Sequence, residues 1–381
     1  MSDVTGATRT HASKAGSIID YDLHGLVGIR LVDPSAHDLG AVAADLGNME
    51  GTVDLEPEIT IRFVRELPMT GVLRYVEPGE LGFAGDAFLV LADGSGGAPA
   101  AQIPLDLVGR PCEILCRSGV DAVPLLRHLV NVVMLTKDIV AIHASAFTFN
   151  GKGTLVAGWA RGGKTSILLA FMRAGGDFIA DDHVFVASDG NRLYGLREPV
   201  SVRTWHLNEL PEYRRYVSRR ELSHLRASRM LGGVASTFAR FGPGTTFGSM
   251  AGRLGRLADN ASVPVSPDRL FSRSSLSGKL DKAFLAIAHD DRDVVVERVD
   301  GGWLADRLVF SLRAERQRLL AAYFAFQFAF PDKHNDLIER ASEIEREILV
   351  RVLAGVDSYV VYHPFPAPVD AVFSAMAPVL D

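Results

Sequence analysis

Alternation of apolar and polar positions dominates the first third of the chain. The runs "EITIRFV" (58–64), "GVLRYV" (71–76), "AFLVLADG" (87–94), "AAQIPLD" (100–106) and "CEILCR" (112–117) are separated by turn residues, the signature of short strands. They predict a β-rich accessory domain over 19–120, with "DGSGGAPA" as a surface connection. At "DAVPLLRHLVNVVMLTKDI" (121–139) the apolar residues move to helical spacing, which predicts a helix linking the two halves. Next, "AIHASAFTFNGKGTLVAG" (141–158) reads as two strands joined at Asn150-Gly151-Lys152-Gly153, turn chemistry suited to a tight hairpin. "KTSILLAFMRAGG" (164–176) has helical spacing and a glycine pair as its stop.

Between that hairpin and that helix lies "GWARGGKTS", residues 158–166. It fits the pattern G-x-x-x-x-G-K-[ST] through Gly158, Gly163, Lys164 and Thr165. Strand, glycine loop and helix in that order let backbone amides and a helix N-terminus converge on an anion. The expected phosphate cradle is therefore Gly158, Trp159, Ala160, Arg161, Gly162, Gly163, Lys164, Thr165 and Ser166. In such loops the amides wrap the phosphates, Lys164 reaches the β and γ oxygens, and the Thr165 hydroxyl holds Mg²⁺. Arg161 either touches phosphate or faces water.

The next apolar run, "DFIADDHVFVASDGNRLYG" (177–195), ends a strand at Asp181-Asp182. Carboxylates at the carboxyl end of a strand beside a phosphate loop suit both magnesium and proton acceptance. Neighbouring strand residues face opposite ways, so both reach one phosphate only where the strand ends or bulges. Asp181 is expected as the base toward the acceptor hydroxyl and Asp182 as the magnesium partner, with the exchange of roles open. The hairpin sets residues near His143 opposite those near residue 160, which brings that imidazole to the loop.

Composition narrows the partners. The chain has 381 residues and a formal net charge of -6, and its charges are not segregated into tails, so nothing global argues for nucleic acid. Cys112 and Cys116 fall on one face of a strand and read as a buried thiol pair; with no disulfide framework, a reducing cytoplasm is the expected setting. Residues 1–18 are small and polar, an expected disordered tail with no signal-peptide core. "LVNVVML" and "LLAAYFAFQFAF" are too short to cross a bilayer and are expected as buried helix faces, so no membrane is predicted.

Arg203, Arg214, Arg215, Arg219, Arg220, Arg226 and Arg229 are concentrated in 203–229, either to receive an acidic peptide or phosphorylated small molecule, or as a solvated helix face. The glycine-rich stretch 232–255 is expected as a loop closing over substrates, or as filler. "DLIERASEIEREILVRVLAG" (336–355) reads as an amphipathic helix and "SYVVYH" (358–363) as a late strand.

His143 in "HASA", the loop Gly158 to Thr165 and the pair Asp181-Asp182, in this order and at these short spacings, resemble the kinase domain of the HPr kinase/phosphorylase family. The match covers about 50 residues well. The resemblance implies an α/β fold: a P-loop kinase domain over 121–381, similar to ATP-dependent phosphoenolpyruvate carboxykinase, behind the β-rich N-terminal domain. It implies an ATP- and Mg²⁺-dependent kinase whose acceptor is a serine-like hydroxyl of a peptide, protein or small molecule, as in relatives that act on carrier proteins or ribosomally made peptides. In that family the first Asp of the pair is the base, the loop Lys binds phosphate, and the His supports the acidic pair. Glu198 and Glu209 lie where the family's further acidic metal ligand is expected, and no basic phosphorylase loop is seen. Family members often form rings, so a homo-oligomer stays open. The alternatives are a non-catalytic ATP-binding sensor or assembly module, and decarboxylation of the carboxykinase type.

Overall fold

A computed structural model describes residues 16–53, 56–77, 79–91, 98–223, 225, 227 and 261–381. Most of the N-terminal tail, Arg226, Arg229 and the stretch 232–255 lie outside the described residues. The chain is mixed α/β and divides into two compact units that are not continuous in sequence. The first comprises 1–141, 185–190 and 305–354; the second comprises 142–184, 191–304 and 355–381. The boundary expected near residue 120 thus falls about twenty residues later. The helices of 305–354 group with the N-terminal strands rather than with the phosphate loop.

The first unit is built on an eight-stranded sheet. Its strands are β1 (Ile18–Leu23), β2 (Val27–Val32), β3 (Ile59–Val64), β4 (Arg74–Glu77), β5 (Leu81–Ala84), β6 (Ala87–Leu91), β7 (Pro99–Gln102) and β8 (Cys112–Arg117), in the order β1-β2-β3-β8-β7-β6-β5-β4. The β2–β3 and β3–β8 pairs are parallel; the others are antiparallel. Period-two burial puts Ile59, Ile61 and Phe63 on the covered face, and each large apolar side chain removed from water contributes about 1.5–3 kcal/mol.

Periodicity did not predict α1 (Ala36–Leu46), which makes the parallel crossover from β2 to β3. Its signal is the capping box, Ser35 with Asp38, in which each side chain meets the other residue's backbone N–H. Buried Asp38 also accepts from the Ser118 hydroxyl and the Gly119 N–H, tying the helix start to the end of β8. Helix α2 (Leu126–Leu135) forms as expected, with seven of its residues buried.

One expectation fails in part. In the helix Gln317–Ala329, Leu319, Tyr323 and Phe326 are buried, but Phe324 and Phe328 are 65 and 75 % exposed. Apolar residues lie all round this helix, and among the described residues one face is buried while Phe324 and Phe328 are not. The helix expected over 336–355 is interrupted, forming as Asp336–Glu339 and Ala341–Leu353.

The second unit contains the motif. The short strand β9 (Ile139–Ile142) leads in sequence to β10 (Ala144–Phe149) and β11 (Lys152–Gly158), which form the expected hairpin. Asn150 and Gly151 both have positive φ, 48 and 75°, as a two-residue primed turn requires. The chain continues through α3 (Lys164–Arg173), β12 (Asp177–Ala180), β13 (Val184–Ala187, of which 185–187 group with the first unit), β14 (Arg192–Gly195), β15 (Val200–Arg203) and α4 (Thr204–Glu209). Its later strands are β16 (Ser262–Val265), β17 (Ser277–Lys279), β18 (Lys282–His289), β19 (Val295–Val299) and β20 (Asp357–Pro364), and the helix Val369–Met376 follows the last of them.

A six-stranded sheet runs β12-β10-β11-β18-β20-β19, with β11–β18 and β18–β20 parallel. Helix α3 is buried from Ser166 to Met172, with Phe171 stacked on Phe147 at 4.7 Å and edge-on to Phe149. That packing fixes the helix whose N-terminus the glycine loop enters. Among the described residues no helix is long and apolar enough to cross a membrane.

Candidate functional site

The hairpin register pairs Ala144 with Ala157, so His143 comes opposite Gly158, where the glycine loop begins. On its other edge β10 pairs with β12 through an irregularity that sets Ala146 opposite Ala180. Ser145 is therefore brought beside Asp181, the first residue beyond β12. Asp182 follows with φ 80°, a left-handed conformation that aspartate tolerates, and this turn sends the two carboxylates in different directions.

Asp181 is 4 % exposed. It accepts from Ser145 Oγ at 2.6 Å and from Thr165 Oγ1 at 3.1 Å to each carboxylate oxygen. Burial raises its pKa; the Ser145 and Thr165 hydrogen bonds and Lys164 oppose that rise, and Asp182 adds to it. Asp182 has a side chain 61 % exposed, and its Oδ1 lies 2.7 Å from His143 Nε2. One carboxylate thus belongs to the loop hydroxyl and the other to the imidazole.

The loop is closed by its own lysine. Lys164, only 6 % exposed, donates through Nζ to the carbonyls of Gly158 and Trp159 at 2.9 and 3.0 Å. Gly163 begins α3 with φ 87°, and a Cβ there would lie 2.5 Å from Nε2 of the fully buried His363. That ring nitrogen is also 2.9 Å from the Gly162 carbonyl, so β20 supports the loop from beneath. Trp159 is 61 % exposed and Arg161 has φ 65°.

Ser166 sits differently from its neighbours. It is buried, and its Oγ lies 3.0 Å from Nε2 of His206, while the Arg203 N–H donates to Nδ1 of the same ring at 3.2 Å. Donation into Nδ1 leaves the proton on Nε2, which donates to Ser166. Burial first, and Arg203 second, push the His206 pKa down to about 3, so the ring is neutral. Arg203 ends β15, its guanidinium is 5.3 Å from the Trp205 ring centroid, and burial lowers its pKa.

These groups line a cavity of about 410 Å³ within the second unit, bounded by His143, Ala160 to Ser166, Asp181, Asp182, Arg203 and the aromatic pair Trp205 and Phe365. Sequence reasoning missed Ser145, Trp205, His206, His363 and Phe365 as parts of the site. Ser145 lies inside the quoted "HASA" stretch; the others carry no local signal. Arg203 belonged to the expected arginine cluster. Glu198 and Glu209 do not line this cavity: Glu198 is buried elsewhere, and Glu209 accepts from the Val369 N–H at 2.6 Å.

Chemically the cavity offers a cationic, amide-rich loop, two carboxylates and a hydroxyl, a set suited to a polyphosphate and a hard cation. No cluster of three or more His, Cys, Asp or Glu with metal-ligand geometry occurs among the described residues. Neither a protein-family model nor a curated protein matches this chain.

Proposed function

We propose that the second unit binds ATP with magnesium and transfers the γ-phosphate to a serine-like hydroxyl of a peptide, protein or small molecule, as a P-loop kinase of the HPr kinase type. The observation that carries this reading is the convergence of Thr165 and Asp181, and of His143 and Asp182, on a single cavity at the glycine loop.

The residues fit the implied cation. Mg²⁺ takes hard oxygen ligands and needs only one or two protein groups beside phosphate oxygens and water, and Thr165 with Asp181 are such a pair. Bound there, the ion would draw electron density from the β and γ oxygens and favour the ionised form of Asp181. Lys164 would exchange its two carbonyl acceptors for phosphate oxygens without leaving the loop. Arg203, held over Trp205, would neutralise charge on the transferred group.

Environment favours exchanging the roles expected of the two aspartates. Asp181 is enclosed by two hydroxyl donors, whereas Asp182 is open to an incoming hydroxyl and oriented by His143. As the acceptor oxygen bonds to the γ-phosphorus and the bond to the bridging oxygen breaks, releasing ADP, the hydroxyl proton passes to the Asp182 carboxylate.

The test is release or transfer of labelled γ-phosphate from Mg-ATP, with and without short peptides encoded beside this gene. Lys164→Ala should abolish ATP binding, and unchanged affinity would show that the loop is not the nucleotide site. Asp182→Asn should bind ATP normally and lose transfer.

A further inference from the structure

The first unit holds a second cavity, of about 580 Å³, which the kinase reading leaves without a role. Its size falls in the range of small-molecule sites. One wall is apolar, from Val90, Leu91 and Ala100, so a ligand body has surface to rest on. The polar lining comes from separate elements: Arg117 at the end of β8, Arg127 and His128 in the first turn of α2, and Arg318 on the helix Gln317–Ala329.

The lining carries more arginine than acid. Asp121 also borders the cavity, but its side chain is fully exposed and lies 3.4 Å from His37. Asp45 is the remaining acid of the lining and lies 3.9 Å from Arg127, while Glu315, outside the lining, acts on His128 through its backbone and its charge. Three guanidinium groups thus line the cavity, and Arg117 enters no ion pair among the described residues. Burial lowers the His128 pKa, and the positive field of Arg318 and Arg127 adds to that, opposed by a hydrogen bond with the Glu315 backbone and by the Glu315 charge.

The backbone adds to that field. Helix α2 starts from Leu125 in a left-handed conformation, φ 62°, with no side-chain cap; the Leu126 N–H donates to the Val123 carbonyl, and no cap side chain covers the N–H groups that follow it in the first turn. A hydrophobic residue at this position is a poor cap, where Ser, Thr, Asp or Asn is usual.

We propose that this cavity is a binding site for a small phosphorylated molecule, its phosphoryl group held by Arg117, Arg127, Arg318 and the start of α2 and its body against the apolar wall. Guanidinium groups suit a phosphoryl oxyanion because they donate in pairs across a fixed plane, and those from three elements can surround one such group. The site is separate from the kinase reading and stands or falls without it.

The experiment follows the His128 imidazole resonance by NMR in the full chain, assigned with His128→Asn, while inorganic phosphate and glycerol phosphate are added at constant ionic strength. A saturable shift is expected with both, retained in Lys164→Ala, which disables the glycine loop. Arg117→Ala combined with Arg318→Ala should weaken it roughly tenfold or more. Arg318 is exposed, so Arg318→Gln alone gives a folded second variant with a smaller loss in the same direction. The proposal is overturned by a shift that does not saturate, that chloride or acetate reproduces equally, or that survives both arginine substitutions.

Discussion

Thr165 Oγ1 stands 3.1 Å from each carboxylate oxygen of Asp181, joining the first turn of α3 to the end of β12 through one pair of oxygen donors. If that pair holds magnesium, Asp181→Asn should raise the Mg²⁺ needed for half-maximal ATP turnover by at least about tenfold. Asp182→Asn should leave that requirement within about twofold and lower turnover by about a hundredfold, the usual range for losing a general base. Titrating Mg²⁺ against turnover for both variants checks this. An equal shift in the two would mean that the carboxylates share the ion.

Transfer should also depend on His143 through Asp182. The 2.7 Å contact orients the carboxylate without burying it, so His143→Gln, which keeps a donor at similar reach, should retain more kcat than His143→Ala, with KM for ATP little changed in either. Steady-state kinetics at saturating magnesium separates the two parameters. A large rise in KM in both variants would move His143 from the transfer step to nucleotide binding.

His206 gives a prediction with a defined sign. Its folded pKa, about 3, lies below the ordinary 6.5, so the unfolded chain takes up a proton there that the folded chain refuses. The stability this neutral ring provides is complete above pH 6.5 and is lost progressively as pH falls toward 3. One such group contributes a slope of up to about 1.4 kcal/mol per pH unit. His206→Gln should flatten the pH dependence by most of that slope, read from urea unfolding between about pH 5 and 6.5. An unchanged slope would mean that the ring is not neutral in the folded protein.

How much of this was legible in the sequence depended on range. The loop, the hairpin and the helix after them are local: the Asn150-Gly151 turn and the apolar run of α3 specify themselves within a few residues. The Asp181-Asp182 pair was visible, but not its division, because a turn with φ 80° at Asp182 and a bulge between β10 and β12 decide which carboxylate meets Thr165. His206 and His363 approach the loop from 40 and 201 residues away along the chain, and no periodicity reports such a contact. The grouping of 305–354 with the N-terminal strands was invisible for the same reason, and α1 was missed although its capping box is local.

The two cysteines should be inert in the folded protein. Burial pushes the Cys112 thiol up to about 11 and the Cys116 thiol up to about 12, Asp38 adding to the latter, so thiolate is scarce at neutral pH. Alkylation at neutral pH should run more than about a hundredfold slower than for an unfolded cysteine, and both should label in urea. Mass spectrometry counts the modified thiols. Of the expected buried pair only Cys116 is fully buried, Cys112 being partly exposed, so rapid labelling of Cys116 in the native chain would contradict the structure.

Gly163 and Gly175 separate two costs of replacing glycine in the same unit. Both have left-handed φ, 87 and 92°, but a Cβ at Gly175 meets nothing within 4 Å, whereas at Gly163 it enters the His363 ring. Gly175→Ala should therefore cost only the backbone term, about 1–2 kcal/mol. Gly163→Ala adds overpacking against a fully buried imidazole and should reach about 2–4 kcal/mol. Urea unfolding of both variants measures the difference. Because His363 also contacts the Gly162 carbonyl, the ring cannot retreat without releasing the loop, so Gly163→Ala should weaken ATP binding as well, while Gly175→Ala should not. Equal destabilisation with equal ATP affinity would show that β20 does not support the loop through this histidine.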